Sequence, residues 1–432
     1  MYKISKHKLY LKHYPILILF FFLLVEADLF AFQAEKQLIY GDATYESSIK
    51  TIQLVPKGTN VQTRISPAVQ KFDERSNLVL EFDDLRDDAD YYFVRFVHCN
   101  ADWTPSDLRD NMFLNRVNEF EIEEFEFSQE SKIPYVHYKY LLPSFKVPGN
   151  YLAIVYRDRK KEDIILSKQF MVYQNQVGLL GDIKLSSSVG NQQTNQRIEV
   201  TLTYGDLKSL DPRKDFKIVV RQNQRFDNSI LLDPTFINEN TQEIRYQNLG
   251  LDNDFSGGNE FRFFDLSTIN FRGRNIQNAG FENNQPFAQL AIDQKRSDGY
   301  FQTLDLNGQF YIRDLEGTGN YATTAEYIKT VFRLKTEKSN EEYFILGAFN
   351  LWKKNGTSRM KWNSKDELYE TEYLLKQGWY DYKYISNKNS DFFERSFFET
   401  ENLYEVLVYF RPIGSRGDQL IGYSRIDFNR RR

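Results

Sequence analysis

"RIEVTLTYG", Arg197 to Gly205, alternates without a break. Ile198, Val200, Leu202 and Tyr204 stand on one side, and Glu199, Thr201 and Thr203 on the other. Successive side chains of an extended strand point to opposite faces. A period of two therefore describes a strand with one face on a core and the other in water. The same rhythm occurs towards both ends of the chain. "NLVLEFDDL" directs Leu78, Leu80 and Phe82 one way, and "YEVLVYFR" sets Tyr404, Val406, Val408 and Phe410 against Glu405 and Arg411. Turn signals separate such runs: "PGN" at 148–150, "DPRKD" at 211–215, "SGGN" at 256–259 and "KNG" at 354–356. No stretch sustains a helical period, and Thr323 to Val331 is the one place for a short helix. Composition agrees: 16% of the 432 residues are aromatic, with 36 Phe and 28 Tyr against 4 Met, and such rings fit pleated, half-buried surfaces. The expected fold class is all-β, as tandem immunoglobulin-like β-sandwich domains.

At about 100–200 residues per domain, the length allows two to four. Two breaks divide it into three. A first domain over 35–174 closes with "GNYLAIVYRDRKKEDIILSKQFMVY", a hairpin with a charged turn whose Gly-x-Tyr opening is like a tyrosine corner. A middle domain runs over 178–322. The break "LEGTGNYATTAEY", Leu315 to Tyr327, leads to a last domain over 328–430. Residues 1–31 read as a signal peptide: Lys3, Lys6, Lys8 and Lys12 precede the apolar run "PILILFFFLLV", and Ala31 or Ala34 offers a small-residue cut site. The alternative is an uncut N-terminal anchor, but that run is well short of the ~20 residues a spanning helix needs. No cysteine lies near the cut for a lipid anchor, and no later run is long enough to span a membrane.

The formal net charge is −4, and it becomes more negative without residues 1–31, which carry four lysines and two acids. A mildly acidic chain of mixed charge gives no case for nucleic acid or for a polybasic membrane patch. Cys99 is the only cysteine, so no intrachain disulfide forms and the cores alone stabilise an exported chain.

The most reactive-looking stretch is "FVHCNADWTPSDL", Phe96 to Leu108. If Tyr92 to His98 is a strand running into Cys99, His98 and Cys99 point to opposite faces and cannot pair as nucleophile and base. His137 is the only other histidine outside the signal peptide. Cys99 is expected to be a buried small hydrophobe, Trp103 a packing anchor, and "NADWTPSD" a capped turn. Two histidines and one cysteine make a poor zinc set. "DNDFSG", Asp252 to Gly257, starts like a calcium loop, but its twelfth position is Phe263 rather than Glu. "DDLRDDAD", Asp83 to Asp90, reads as a solvated acidic turn, and "RGD" at 416–418 as a hairpin turn. No nucleophile elbow, phosphate loop or H-E-x-x-H occurs, and no carboxylate pair stands out. No cofactor is expected, and the chain is not expected to be an enzyme.

"YFILGAFNLW" followed by "ELYETEYLLKQGWYDYKYI" resembles the glycogen-binding module of branching enzymes and of the β subunit of AMP-activated kinase. In that family a Trp after Gly-x-Phe-Asn-x stacks on sugar and the Lys of a Tyr-Lys-Tyr bonds hydroxyls. The matching positions are Trp352 and Lys383, with Trp379 close by. The family's second stacking Trp, shortly after the Lys, is replaced here by "SNKNSDFFERSF". The platform is incomplete, so the resemblance implies the sandwich fold more strongly than it implies a glycan ligand.

Five landmarks in order resemble the type IX secretion system plug proteins of Bacteroidota. They are "FVHCNADWTPSDL", "PGNYLAIVY" (148–156), "VVRQNQRFDNSI" (219–230), "GGNEFRFFDL" (257–266) and the GAFNLW…QGWYDYKY segment. The resemblance implies a non-enzymatic periplasmic plug. It would dock on the periplasmic end of the type IX translocon, an outer-membrane β-barrel protein, and occlude its pore when no cargo moves. The partner is then that barrel, not nucleic acid or lipid. A chain rich in Tyr and Phe suits such an interface. The alternative function is a periplasmic or surface glycan-binding protein resting on Trp352, Trp379 and Lys383.

Overall fold

The computed structural model describes residues 36–317 and 320–430. The signal-peptide segment 1–31 lies outside them. Among the described residues no helix is long and apolar enough to cross a membrane. From Leu38 onward they form one compact unit, and its regular structure is almost all strand.

The first sandwich is built from strands between Ala43 and Tyr173. One sheet runs Ala43–Thr44, Ile164–Tyr173, Gly149–Arg157, Tyr92–Cys99, Phe120–Glu121. The facing sheet runs Ile49–Pro56, Leu78–Asp84, Val136–Leu141, Glu124–Phe127. Leu78, Leu80 and Phe82 all point into the core between them, as the alternation requires. Phe82, Tyr92 and Tyr138 meet there with ring centroids 4.8–5.5 Å apart, each pair worth about 0.5–1.5 kcal/mol beyond its buried area. The Tyr151 hydroxyl donates to Val147 O at 2.6 Å, which ties the start of the closing hairpin to the backbone before it, the bond a tyrosine corner makes.

The remaining chain does not divide at Leu315–Tyr327. Phe216–Gln222 pairs along its whole length with Asn402–Phe410, from Phe216↔Phe410 to Gln222↔Tyr404. The second sandwich therefore joins Gly178–Leu185, Asn195–Thr203, Glu243–Tyr246 and Phe236–Asn238 in one sheet to Ile230–Leu232, Phe216–Gln222, Asn402–Phe410 and Gln419–Phe428 in the other. Their inner faces share one core. The third sandwich is inserted between these strands. One of its sheets holds Arg262–Asp265, Gly378–Ser386 and Phe310–Ile312, with Tyr343–Leu346 on Gly378–Ser386. The other runs Ile276–Glu282, Gln285–Leu290, Tyr327–Lys335, Leu368–Lys376, Lys361–Asn363. The expected domains 178–322 and 328–430 thus each contribute strands to both sandwiches. Alternation tells which face of a strand is buried but not which distant strand lies beside it.

The chain leaves the second sandwich at Gly257 and returns to it beside that residue. A Cβ on Gly257 would lie 2.0 Å from Phe397 O. Phe397 N donates to Gly258 O at 2.8 Å and Asn402 Nδ2 to Gly257 O at 2.8 Å. "SGGN" is therefore a crossing point rather than a simple turn. The helix expected from Thr323 is shorter and earlier, Tyr321–Thr324, capped by Asn320 Oδ1 accepting from Ala322 N at 3.2 Å. From Tyr327 the chain is already strand.

Tyrosine content belongs largely to the cores. Tyr151, Tyr380, Tyr384 and Tyr409 are all buried, and each hydroxyl has an internal acceptor: Val147 O, Lys376 O, Asp293 Oδ2 and Asn150 Oδ1. A buried ring with a satisfied hydroxyl fills a thick core without a polar penalty.

Candidate functional site

"FVHCNADWTPSDL" forms the joint between the first and second sandwiches. The strand Tyr92–Cys99 ends in a turn in which Asp102 Oδ1 accepts from Thr104 N at 3.0 Å, and Trp103 has a left-handed φ of 65°. Trp103 is buried and meets Phe226 of the second sandwich edge-on at 4.7 Å. Cys99 lies in a cluster with Leu152 and Met171 of the first sandwich and Leu407, Tyr409 and Leu420 of the second. Burial pushes its thiol up to about 12, so almost none of it is the nucleophilic thiolate near neutral pH.

His98 points the other way. It packs edge-on against Tyr151, and its Nδ1 lies 2.9 Å from Ser106 Oγ. A Cβ at Gly149 would sit 2.2 Å from its Nε2, so only glycine fits opposite the ring. Burial lowers its pKa to about 4. The two residues do not form a catalytic pair. His137 is engaged elsewhere, with its Nδ1 2.7 Å from Asp83 Oδ1.

The "RGD" turn fastens the same joint. Asp418, 1% exposed, accepts from Ala101 N (3.1 Å), Lys217 Nζ (3.0 Å) and Arg411 Nε (2.7 Å). Burial alone would raise its pKa. The Ala101 hydrogen bond, Arg411 and Lys217 outweigh that and hold the carboxyl below its ordinary range. The turn does link two strands, Asn402–Phe410 and Gln419–Phe428, but its aspartate faces inward.

A second joint fixes the first sandwich to the third. "DDLRDDAD" is not wholly solvated: Asp83 and Asp84 close the strand Leu78–Asp84 and are buried. Asp83 Oδ2 accepts from Lys376 Nζ and from the Tyr327 hydroxyl, both at 2.7 Å. Lys376 also donates to Ala322 O at 2.6 Å and lies 4.0 Å above the Tyr135 ring. Lys376 and His137 overcome the burial of Asp83 and hold it ionised. Tyr135 donates to Ala325 O, and Glu326 accepts from Ser131 Oγ and Lys132 N. An acid and a base 293 positions apart, such as Asp83 and Lys376, carry no local signature of their pairing in the sequence.

Trp352, Trp379 and Lys383 all lie in the third sandwich. Arg225 of the second sandwich places its guanidinium 4.2 Å over the Trp352 ring, and Phe261 meets that ring edge-on at 5.8 Å. Trp379 stacks on Phe263 at 4.3 Å and 11°, and donates Nε1 to Asp381 Oδ1. Lys383 is half-buried, and burial with the charge of Arg225 lowers its pKa to about 8. Trp379 and Lys383 are four residues apart on one strand, about 13 Å. One face of each Trp is already occupied by protein.

Buried carboxyls do occur where the third sandwich meets its long loops. Glu260 and Asp381 are raised by burial, Asp381 to about 7. They hold backbone in place: Asp381 Oδ2 accepts from Gly308 N, Asp305 from Asn307 N, and Glu260 from Glu401 N. Among the described residues no group of three or more His, Cys, Asp or Glu side chains is placed to hold a metal ion.

Comparison with known proteins agrees with the first sandwich. Residues 49–174 match the family described as Type 9 secretion system plug protein 1st domain. The chain is similar over most of its length to a hypothetical protein from Parabacteroides merdae ATCC 43184, known from its crystal structure at 2.30 Å resolution. The two share 28% sequence identity with a TM-score of 0.83, over 90% of this chain and 100% of that one. No curated protein matches.

Proposed function

We propose that this protein is a non-enzymatic plug of the type IX secretion machinery. It is exported to the periplasm, docks on the periplasmic end of the outer-membrane translocon barrel, and blocks the pore while no cargo is moving. The observation that carries this reading is the match of residues 49–174 to the plug family's first domain.

The joints support it physically. Occluding a wide aqueous opening needs a body that does not flex apart. Three sandwiches fastened by the Asp83–Lys376 pair and by Asp418 on Ala101 make such a body. Docking must be reversible, so the contact is of moderate size and partly polar. The environments of Cys99, His98 and His137 offer no activated nucleophile, which favours a binding role over catalysis. The glycan reading has less support, because Arg225 and Phe263 already occupy one face of each tryptophan.

The test is outer-membrane permeability. Deleting the gene in its host, with the translocon retained, is expected to raise the uptake of large antibiotics. Unchanged uptake rejects pore closure.

A further inference from the structure

The segment Val117 to Phe127 reads "VNEFEIEEFEF" and carries glutamate at 119, 121, 123, 124 and 126. It forms the last strand of both sheets of the first sandwich. Phe120–Glu121 ends one sheet against Tyr92–Cys99, and Glu124–Phe127 ends the other against Val136–Leu141. All four residues of Glu124–Phe127 are exposed. Its register with Val136–Leu141 is unbroken, from Glu124↔Lys139 to Phe127↔Val136.

The two faces of this edge differ in chemistry. Phe125 and Phe127 lie opposite Tyr138 and Val136 of the core and continue that core outward. They are 43% and 53% exposed, with rings edge-on at 6.1 Å. Glu124 and Glu126 lie on the other face, opposite Lys139 and His137. Glu124 pairs with Lys139 at 2.8 Å and Glu119 approaches Arg159 at 3.8 Å. Glu121, Glu123 and Glu126 make no ion pair or side-chain hydrogen bond among the described residues.

A sheet edge leaves a row of N–H and C=O groups unpaired, and proteins usually blunt it with proline, a bulge, charged side chains or a very short strand. This edge is short and carries glutamates, but it has no proline, lysine or bulge. It offers free backbone, an apolar stripe and an anionic stripe together. A second copy is a poor occupant, since pairing this edge with itself would set glutamate against glutamate.

We propose that Glu124–Phe127 is a docking edge for an extended segment of a partner polypeptide in which lysine or arginine alternates with apolar residues. The segment adds a fifth strand to the sheet. Its apolar side chains lie beside Phe125 and Phe127, and its cations lie beside Glu124 and Glu126. Backbone pairing supplies the affinity, and the glutamates select and steer a basic partner. The proposal does not depend on pore closure.

The test titrates the whole protein into a labelled hexapeptide alternating lysine and valine. Controls are the glutamate–valine counterpart and the lysine–valine peptide N-methylated at alternate amides. Saturable binding is expected. It should weaken by about tenfold or more with either control, and by a similar factor for the Glu121→Lys, Glu123→Lys, Glu126→Lys triple variant. Those side chains are exposed, so unchanged circular dichroism is expected for the variant. Equal binding of the N-methylated peptide would reduce the edge to plain charge attraction and overturn the proposal. So would absence of binding, equal binding of the glutamate peptide, or self-association of the protein that the triple variant abolishes.

Discussion

Asp83 and Lys376 come from different sandwiches and meet at 2.7 Å with each side chain 1% exposed. A buried ion pair adds little over an apolar replacement, but breaking it strands the remaining charge. Lys376→Met alone leaves Asp83 with only His137 and the Tyr327 hydroxyl, and should destabilise the protein by about 3–5 kcal/mol. The double variant Asp83→Asn, Lys376→Met should regain most of that. Denaturant midpoints of both variants check this. A double variant no more stable than the single one would show that the pair itself, rather than the uncompensated charge, matters.

Asp418 supports the other joint in a different way. Its carboxylate satisfies the Ala101 N–H and two cations. Asp418→Ala removes the acceptor from a buried backbone donor, at about 1–3 kcal/mol. The effect should be local: amide exchange speeds up at Ala101 and its neighbours while the third sandwich core around Tyr380 keeps its protection. Equal acceleration everywhere would mean that the joint is not a separate unit of stability.

These two joints mark the limit of what the sequence reveals. Leu78, Leu80 and Phe82 could be assigned to a core because alternation is written in adjacent residues, and all three lie in one. Cys99 could be separated from His98 for the same reason. The insertion of the third sandwich could not be seen. It rests on Phe216 lying beside Phe410, and nothing in either strand names the other. Asp83 was legible only as part of an acidic run, since its partners His137, Tyr327 and Lys376 arrive from three distant strands. Trp352 and Lys383 fit a motif in one dimension. In three dimensions Arg225, from a segment the motif does not contain, lies over one face of the ring.

Trp352 packs where the second and third sandwiches meet, between Arg225 and Phe261. Trp352→Ala loses the Arg225 cation–π contact, worth about 0.5–2 kcal/mol, together with the apolar contact to Phe261. It should lower the unfolding midpoint. The unaltered protein should pass through an immobilised glucan column without delay, and so should the variant. Retention of the unaltered protein, lost in the variant, would restore the sugar-binding reading.

His98 sets part of the acid limit of stability. Its pKa is about 4 in the fold against 6.5 for an ordinary histidine. Between those values the unfolded chain binds a proton that the folded chain refuses. Stability is fully present above about pH 6.5 and falls as pH drops towards 4, by about 3 kcal/mol in total. The stability difference between the unaltered protein and His98→Gln should shift by that amount across this window and stay flat above it. A difference independent of pH would mean that His98 titrates normally in the fold.

Cys99 is the residue whose neighbours in sequence most suggest reactivity and whose surroundings most suppress it. It has no exposed surface, and its thiol is pushed up to about 12. At pH 8 the thiolate fraction is on the order of 10⁻⁴, before access is considered. Alkylation must then await an opening that parts the first sandwich from Leu407, Tyr409 and Leu420. Labelling under native conditions should be slow, and it should accelerate with denaturant in step with unfolding. Asp418→Ala, which loosens that joint, should label faster than the unaltered protein at the same pH. Rapid labelling of the native protein would place Cys99 at a surface and reopen the case for a reactive thiol.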